Sequence, residues 1–298
     1  MILTAALAGL ANATFHPVDF TILNQRVSSG RLGYAFSAHG LSGNLGWAAA
    51  PLFLTGIARL THWRTAYLAA AALYIALLVL VVVYRADLKT EVLVHPKGTA
   101  ASQGGALGFL RLGVVWWCFG FFMLSTMTLA VVQNFSVSIL RAQHGVSLEA
   151  ATFTLSAYML CGAVGMFMGG IVAARTRSSD RVVAGAMLAG ALLLGLCGSG
   201  WLGAPATMTV LALTGFAIGI GGPSRDMMIK RATPTGATGR VYGLVYSGLD
   251  VGFAMAPLVF GVWMDRGMYG ATLLGAAFVL LLSVGAAMAV GQRTPPPA

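Results

Sequence analysis

The side chains of this sequence that could do chemistry are a few ionisable and amide groups set inside long apolar stretches. Asp250 stands in one such stretch and Asn44 in another. A carboxyl group can hold or release a proton, and an amide can both donate and accept hydrogen bonds to a small molecule. Because a charge inside a membrane costs at least about 2.5–3.5 kcal/mol, each ionisable group there is a candidate site. The candidate set is His16, Asp19, Asn44, Gln133, Asn134, Arg225, Asp226 and Asp250.

The elements that must position these groups are membrane-spanning helices. Of the 298 residues, 58% are hydrophobic and only 9% are charged, whereas a soluble domain carries roughly 25% charged residues. Nine apolar runs follow one another, each of about 20 residues and so able to cross a hydrocarbon core of about 30 Å. Backbone groups in lipid must bond internally, and the runs lack the alternation of barrel strands. The sequence therefore predicts an all-α polytopic membrane protein with nine transmembrane helices.

The apolar runs place these helices along the chain and divide it into regions. We expect residues 1–84 to form one helical group, 85–111 a cytoplasmic inter-domain loop, 112–291 a second group, and 292–298 a disordered cytoplasmic tail. The predicted helices lie near 1–23, 34–58, 64–84, 112–136, 148–174, 182–201, 206–229, 241–264 and 270–291.

The net charge of +10 predicts the orientation of the chain rather than binding to nucleic acid. Of the 18 Lys and Arg residues, 14 lie in or beside one set of connections, which includes 85–111 and the C-terminal tail. Basic residues concentrate in cytoplasmic loops. We therefore expect a multi-pass protein of the inner membrane with its C-terminus in the cytoplasm. With nine helices, Met1 would lie outside.

An internal repeat relates the start of the chain to its end. Moving residues 7–58 forward by 206 positions places glycine on glycine and proline on proline without a gap, and it places Asn44 on Asp250. Glycine and proline set close packing and helix bends. Chance alignment is the alternative in a chain with 39 glycines, but two prolines in register argue against it. The motif residues are Pro17, Gly46, Pro51, Pro223, Gly252 and Pro257.

The repeat predicts two six-helix halves related by an axis along the membrane normal. On that basis residues 112–291 form a complete half, while residues 1–84 supply only the last three helices of the other half. We therefore expect that the chain is truncated and lacks three helices upstream. The small-residue runs 43–51 and 248–257, and the Trp63-Arg64 pair that starts a helix, resemble motifs of the major facilitator superfamily. A narrower similarity, to fosmidomycin-resistance-type exporters, lies in Phe15-His16-Pro17 followed by Arg31, Gly33, Ala35, Ser37, Asn44, Gly46, Pro51 and Leu52.

The resemblance extends to a cytoplasmic loop motif, Gly170 followed by Arg175 and Arg181. The chain departs from the family at Ala174, where an acidic residue is usual, so gating by the charges of that loop is not expected. The resemblance implies secondary active transport of a small organic molecule by alternating access, by symport or antiport, with efflux as the direction of the similar exporters. We expect a small-molecule substrate, protons and the lipid bilayer as partners, and a monomer if the chain is full length.

Specific roles follow for the ionisable residues, each with a structural alternative. Asp250, near the middle of its helix, is a candidate for coupling transport to protons. The alternative, which the resemblance favours because the corresponding helices pack between the two halves, is a hydrogen-bonded residue that locks two helices together. The repeat makes Asp19 and Arg225 equivalent, which suggests a salt-bridge gate; the alternative is interfacial charge that reaches water. His16 is a candidate for substrate or proton contact, whereas His39 is expected to be a packing residue.

The expected roles of the other polar and aromatic residues are less specific. Gln133 and Asn134, with Ser125, Thr126 and Thr128, form either a substrate wall or hydrogen bonds between helices. The aromatic residues from Trp116 to Phe122 are expected at the interface and on the lipid-facing surface. The glycine pairs 165/169, 215/219 and 248/252 have the spacing that lets helices approach closely. The cysteines are expected to be packing residues, without a disulfide.

The sequence leaves two functional classes as alternatives to a transporter. Gly40-Leu41-Ser42-Gly43 resembles the G-x-S-G of an intramembrane serine protease, which would need a histidine base from another helix. A non-transporting membrane scaffold or an inactive fragment is the other alternative, because three helices are expected to be missing. The sequence has no Walker loop, no H-E-x-x-H and no metal-ligand cluster. We therefore expect no enzymatic activity, no cofactor and no metal.

Overall fold

The protein is an all-helical bundle, as the sequence predicts. The computed structural model describes residues 2–90, 105–234 and 236–294, and in these ranges the regular elements are all helices. Short 3₁₀ turns cover Ser29–Arg31 and Gly105–Arg111. The α-helices are α1 (Ile2–Asn12), α2 (Phe15–Arg26), α3 (Leu32–Leu60), α4 (Trp63–Val83), α5 (Arg85–Leu88), α6 (Gly113–His144), α7 (Leu148–Arg175), α8 (Ser179–Gly198), α9 (Ala204–Ala232), α10 (Thr238–Asp265) and α11 (Tyr269–Arg293).

Seven of the helices in the described ranges, α4 and α6 to α11, are long and apolar enough to cross a membrane. These are seven of the nine predicted spans. A further predicted span corresponds to α3, whose 29 residues have sufficient length but include His39, Ser42 and Asn44. The predicted loop 85–111 begins with α5 and ends in a 3₁₀ turn, and its middle lies outside the described residues, as do residues 295–298 of the predicted tail.

The prediction of one helix over residues 1–23 is wrong, because the chain breaks into α1 and α2 at Ala13 and Thr14. Pro17 favours the break. Proline has no N–H to donate to the carbonyl four residues earlier, and its ring crowds that carbonyl. The Thr14 hydroxyl instead donates to the Ala11 carbonyl at 3.0 Å. Helices of 11 and 12 residues result, and each of them rises less than about 20 Å.

The internal repeat is visible in the helix boundaries. The offset of 206 residues places Leu32 on Thr238, the first residues of α3 and α10. It also places Trp63 on Tyr269, the first residues of α4 and α11. The last residue of α2, Arg26, falls on the last residue of α9. The two copies differ at their prolines, since α9 continues through Pro223 where the first copy is broken.

Glycines bring the helices of the bundle into close contact, as their spacing predicts. A Cβ atom added at Gly169 would overlap the Ile220 carbonyl of α9, and one added at Gly219 would overlap the Gly162 carbonyl of α7. Gly252 packs in the same way against the Met123 backbone of α6. A Cβ atom added at its repeat counterpart, Gly46, would have open space around it. The glycine therefore allows a close helix contact in the second copy of the repeat but not in the first.

Two buried apolar clusters hold the helices together. One draws only on residues 127–277, within α6 to α11. The other joins Phe20, Leu32 and Phe36 of the N-terminal helices to α6, α8, α9, α10 and α11. The second cluster lies toward the end of the bundle that carries Arg31, Arg177 and Arg231, which we call the basic end. There Arg231 Nη1 donates to the Arg177 carbonyl at 2.6 Å.

A substitution at the contact between α7 and α9 tests whether glycine is required there. We expect Gly219→Ala to lower the free energy of unfolding by about 1–3 kcal/mol, because the added methyl group meets backbone rather than a movable side chain. Gly285→Ala on α11 is the matched control, since no atom lies within 4 Å of its Cβ position. Thermal unfolding of both variants in detergent is the measurement. Equal melting temperatures would contradict the packing account.

Candidate functional site

A layer of aromatic rings lies at the basic end of the bundle. Phe20 of α2 stacks on Tyr242 of α10, with ring centroids 4.5 Å apart, and lies 5.3 Å from Phe36 of α3. His16 lies 4.2 Å from the ring of Tyr246. All of these rings except His16 are buried. We call Phe20, Phe36, Phe122, Tyr242 and Tyr246 the aromatic layer.

A second contact at the same end joins α3 to α7. The Ser37 hydroxyl donates to the Met166 carbonyl at 2.8 Å, and a Cβ atom at Gly170 would collide with the Ser37 side chain. Gly170 therefore lies within α7 at a helix contact rather than in the loop. Of the other motif residues, Arg175 is the last residue of α7, and Arg181 lies in the first turn of α8; both are exposed.

A charge network with a buried carboxylate lies behind the aromatic layer, directly after Pro223. Arg225 Nε lies 3.1 Å from Asp226 Oδ1, and the guanidinium lies over the Phe122 ring at 4.7 Å. The Tyr246 hydroxyl donates to Asp226 Oδ1 at 3.0 Å, and the Tyr242 hydroxyl donates to the Asp226 backbone carbonyl at 3.1 Å. This set of partners allows a carboxylate to remain buried.

The expected ion pair between Asp19 and Arg225 is not formed among the residues that the structure describes. Arg225 is paired with Asp226, and Asp19 Oδ2 lies 4.0 Å from His39 Nε2. The repeat makes Asp19 and Arg225 equivalent, but equivalent positions in two halves touch only where they lie near the axis. Asp19 and His39 instead meet within the N-terminal helices, close to His16.

Asp250 and Asn44 lie farther from the basic end, near the middle of α10 and α3. The side chains of both residues are exposed. Tyr246 and Phe253 flank Asp250 on one face of α10. Phe253 stacks on Trp47 of α3 at 5.9 Å, so this face of α10 is turned toward the N-terminal helices. The Asn44 amide lies 3.8 Å from Met166 Sδ. In the described part of the chain Asp250 has no hydrogen-bond partner, which argues against a helix-locking role.

The polar residues of α6 divide into two groups. The Thr128 hydroxyl donates to the Ala276 carbonyl of α11 at 2.9 Å, so Thr128 joins two helices. Gln133 is half-buried and Asn134 is exposed, and their role as a substrate wall stays a prediction. The expectation that Phe121 and Phe122 face lipid is wrong, since both are buried. Their burial reflects the packing of α6 against α10, which a run of aromatic residues does not reveal.

Several residues of the site have no clear signal in the sequence. His39 was expected to be a packing residue, yet it lies beside Asp19 and His16. Tyr242 and Tyr246 are four residues apart, so they share a face of α10, and this spacing is the one pattern that could have revealed them. The Ser42 hydroxyl donates to the His39 carbonyl of its own helix at 2.7 Å. That contact is the one expected of a serine inside a helix rather than of an activated nucleophile.

A known protein family matches almost the whole length of the chain. The sequence profile of the Major Facilitator Superfamily matches residues 1–257 and, in a second and overlapping match, residues 118–298. One profile thus aligns with the chain in two registers, as expected for a sequence with an internal repeat. Comparison with curated proteins gave no match.

Removing one partner of the buried pair should destabilise the fold. We expect Asp226→Asn to cost about 3 kcal/mol, because Arg225 would keep its charge without a counter-charge. The double variant Arg225→Met with Asp226→Asn should recover part of this loss, since no unpaired charge then remains. Asp265→Asn, at the exposed end of α10, is the matched control. Thermal unfolding in detergent measures all three variants, and a double variant less stable than Asp226→Asn alone would contradict this account.

Proposed function

Because the chain belongs to the Major Facilitator Superfamily, we propose that it is a secondary transporter that moves a small organic molecule by alternating access, driven by protons. The observation that supports this best is the contrast between the basic end and the middle of the bundle. The aromatic layer is buried at the basic end, whereas Asp250 and Asn44 are exposed midway along their helices. A polar path that is closed at one end only is the arrangement that alternating access requires.

We propose a place in the family's fold for each helix. In this proposal α1 and α2 together are helix four, α3 is helix five, α4 is helix six, and α6 to α11 are helices seven to twelve. The coincident helix boundaries of the repeat support this assignment. The basic end faces the cytoplasm, because 14 of the 18 Lys and Arg residues belong to the connections of that side. The path is then open to the outer side of an inner membrane.

Reversible opening fits the chemistry of the closed end. The contacts between the N-terminal helices and α10 are mainly aromatic, and the hydrogen bond from Ser37 to Met166 joins α3 to α7. The stronger charge pair, Arg225 with Asp226, lies entirely on α9. Separation of the two helix groups therefore breaks ring contacts without separating the paired charges.

Asp250 is the residue that we assign to proton coupling. It is exposed on the face of α10 that is turned toward α3, one turn beyond Tyr246, whereas Asp226 is already held by Arg225 and Tyr246. A carboxyl group that exchanges a proton during transport must be reachable by water in at least one state, and the exposure of Asp250 from the surrounding helices fits that requirement. The narrower similarity to exporters of the fosmidomycin-resistance type favours antiport of protons against an exported molecule.

Chemical labelling tests the open path without knowledge of the substrate. In a variant that lacks Cys118, Cys161 and Cys197, we expect Asn44→Cys to react with a membrane-impermeant maleimide added to the outer side of cells. Phe20→Cys, inside the aromatic layer, is the matched control and should remain unlabelled. Labelling of Asn44→Cys from the cytoplasmic side alone would overturn the proposed orientation, and equal labelling of both positions would overturn the closed end.

Neutralising Asp250 tests proton coupling. We expect Asp250→Asn to reduce substrate-driven proton flux into liposomes by about tenfold or more, since the amide cannot carry a proton. The flux is followed with a trapped pH-sensitive dye, using a substrate found by a resistance and uptake screen of drugs, phosphonates, carboxylates and sugars. Asp265→Asn is the control and should retain the flux. Full pH-dependent transport by Asp250→Asn would refute this role.

A further inference from the structure

Three side chains with metal-binding atoms converge beside the aromatic layer. His16 and Asp19 belong to α2, and His39 belongs to α3. One ligand atom from each residue lies within 4.8 Å of the other two. Each of the three residues is partly buried, so the group is accessible without being fully solvated.

The local structure explains why these residues meet. His16 and Asp19 are three residues apart and therefore share a face of α2. His39 is brought to that face by the packing of Phe20 against Phe36 at 5.3 Å, and the His39 ring lies edge-on to Phe20 at the same separation. The ring centroids of His16 and His39 lie 6.4 Å apart.

We propose that His16, Asp19 and His39 form a binding site for a divalent transition-metal cation of the zinc class. Two imidazoles and one carboxylate are ligands that zinc and cobalt accept, whereas calcium and magnesium prefer sites made of oxygen atoms. Nδ1 of His16 is buried and has no hydrogen-bond partner in the described part of the chain. Buried ring nitrogens normally have a partner. Coordination of a metal ion, or rotation of the His16 ring when the ion binds, would give this nitrogen one.

Small movements would bring the three ligand atoms to the spacing of a tetrahedral site. Two ligand atoms that each lie about 2.0–2.1 Å from a tetrahedral ion are about 3.3 Å apart. Asp19 Oδ2 and His39 Nε2 are separated by 4.0 Å, so these side chains need to approach by less than about 1 Å. The ligand atom of His16 lies within 4.8 Å of the other two, so it needs to move by at most about 1.5 Å. Both keep about a third of their surface exposed, which leaves them room to rotate. Three protein ligands leave a fourth position for water.

The charges nearby permit a cation at this site. From the helices packed against it, the nearest charged groups are Arg225 and Asp226. Because these two form an ion pair with each other, their fields largely cancel at the site. Asp19 then supplies the one negative charge of the ligand set. The inference does not depend on transport, since the proposed proton coupling rests on Asp250, which is not part of this group.

Cobalt titration tests the site directly. The full chain, purified in detergent with its affinity tag removed and stripped of metal by a chelator, is titrated with Co²⁺ and then with Zn²⁺ in competition. We expect one Co²⁺ per chain with the visible absorption of a tetrahedral ion, displaced by Zn²⁺. His16→Asn, Asp19→Asn and His39→Asn should each weaken binding by about tenfold or more.

The matched control is His62→Asn, which removes an exposed histidine of the connection between α3 and α4 and should bind as the unmodified protein does. Elution volume and helical circular dichroism verify the fold of each variant. If one variant fails to fold, the remaining two carry the test. Unchanged binding in the folded variants, or an equal loss in His62→Asn, would overturn the proposal. Neither result would bear on transport, which the labelling of Asn44→Cys tests separately.

Discussion

The stacking of Phe20 on Tyr242 is the contact on which the arrangement of this protein depends. It joins α2 to α10, and through Phe36 and Tyr246 it draws α3 and His16 into the same layer. Much of α1, α4 and the outer part of α3 is exposed, including Trp47 at 60%. The N-terminal helices therefore contact the rest of the bundle mainly toward the basic end, where we propose that the path is closed.

The aromatic layer also protects the buried charges behind it. Tyr242 and Tyr246 stack toward α2 with their rings and bind Asp226 with their hydroxyl groups. The same two residues thus contact the N-terminal helices and satisfy the Arg225–Asp226 pair. In the proposed mechanism the paired charges therefore stay on α9, and the basic end opens without leaving an ion unpaired.

Hydropathy was sufficient to predict the helical class and most helix boundaries, because membrane spans must satisfy their own backbone hydrogen bonds. Glycine spacing correctly predicted that Gly169 and Gly219 lie where helices pack closely, although it did not indicate which helices meet there. Local sequence did not predict the break before Pro17, since Pro223 at the equivalent position leaves α9 continuous. Whether a proline breaks a helix depends on the packing around it, and α9 is enclosed by its neighbours where the first copy is exposed.

The site was harder to predict than the fold. The repeat makes Asp19 and Arg225 equivalent and so predicts that they pair. In the structure Asp19 lies beside His39, and Arg225 is paired with Asp226. The approach of His39 to His16 depends on how α2 packs against α3, and neither residue carries a spacing signal that links the two helices. Such contacts between helices require the three-dimensional arrangement.

The central claim is that the aromatic layer holds the basic end closed. The most direct measurement is the distance distribution between spin labels at Ser29, between α2 and α3, and Thr176, between α7 and α8, obtained by double electron–electron resonance in nanodiscs. The account predicts one short distance in the unmodified protein and a second, longer distance when Phe20→Ala removes the central ring. An unchanged distribution in Phe20→Ala would contradict the account, because the basic end would then be held by other contacts.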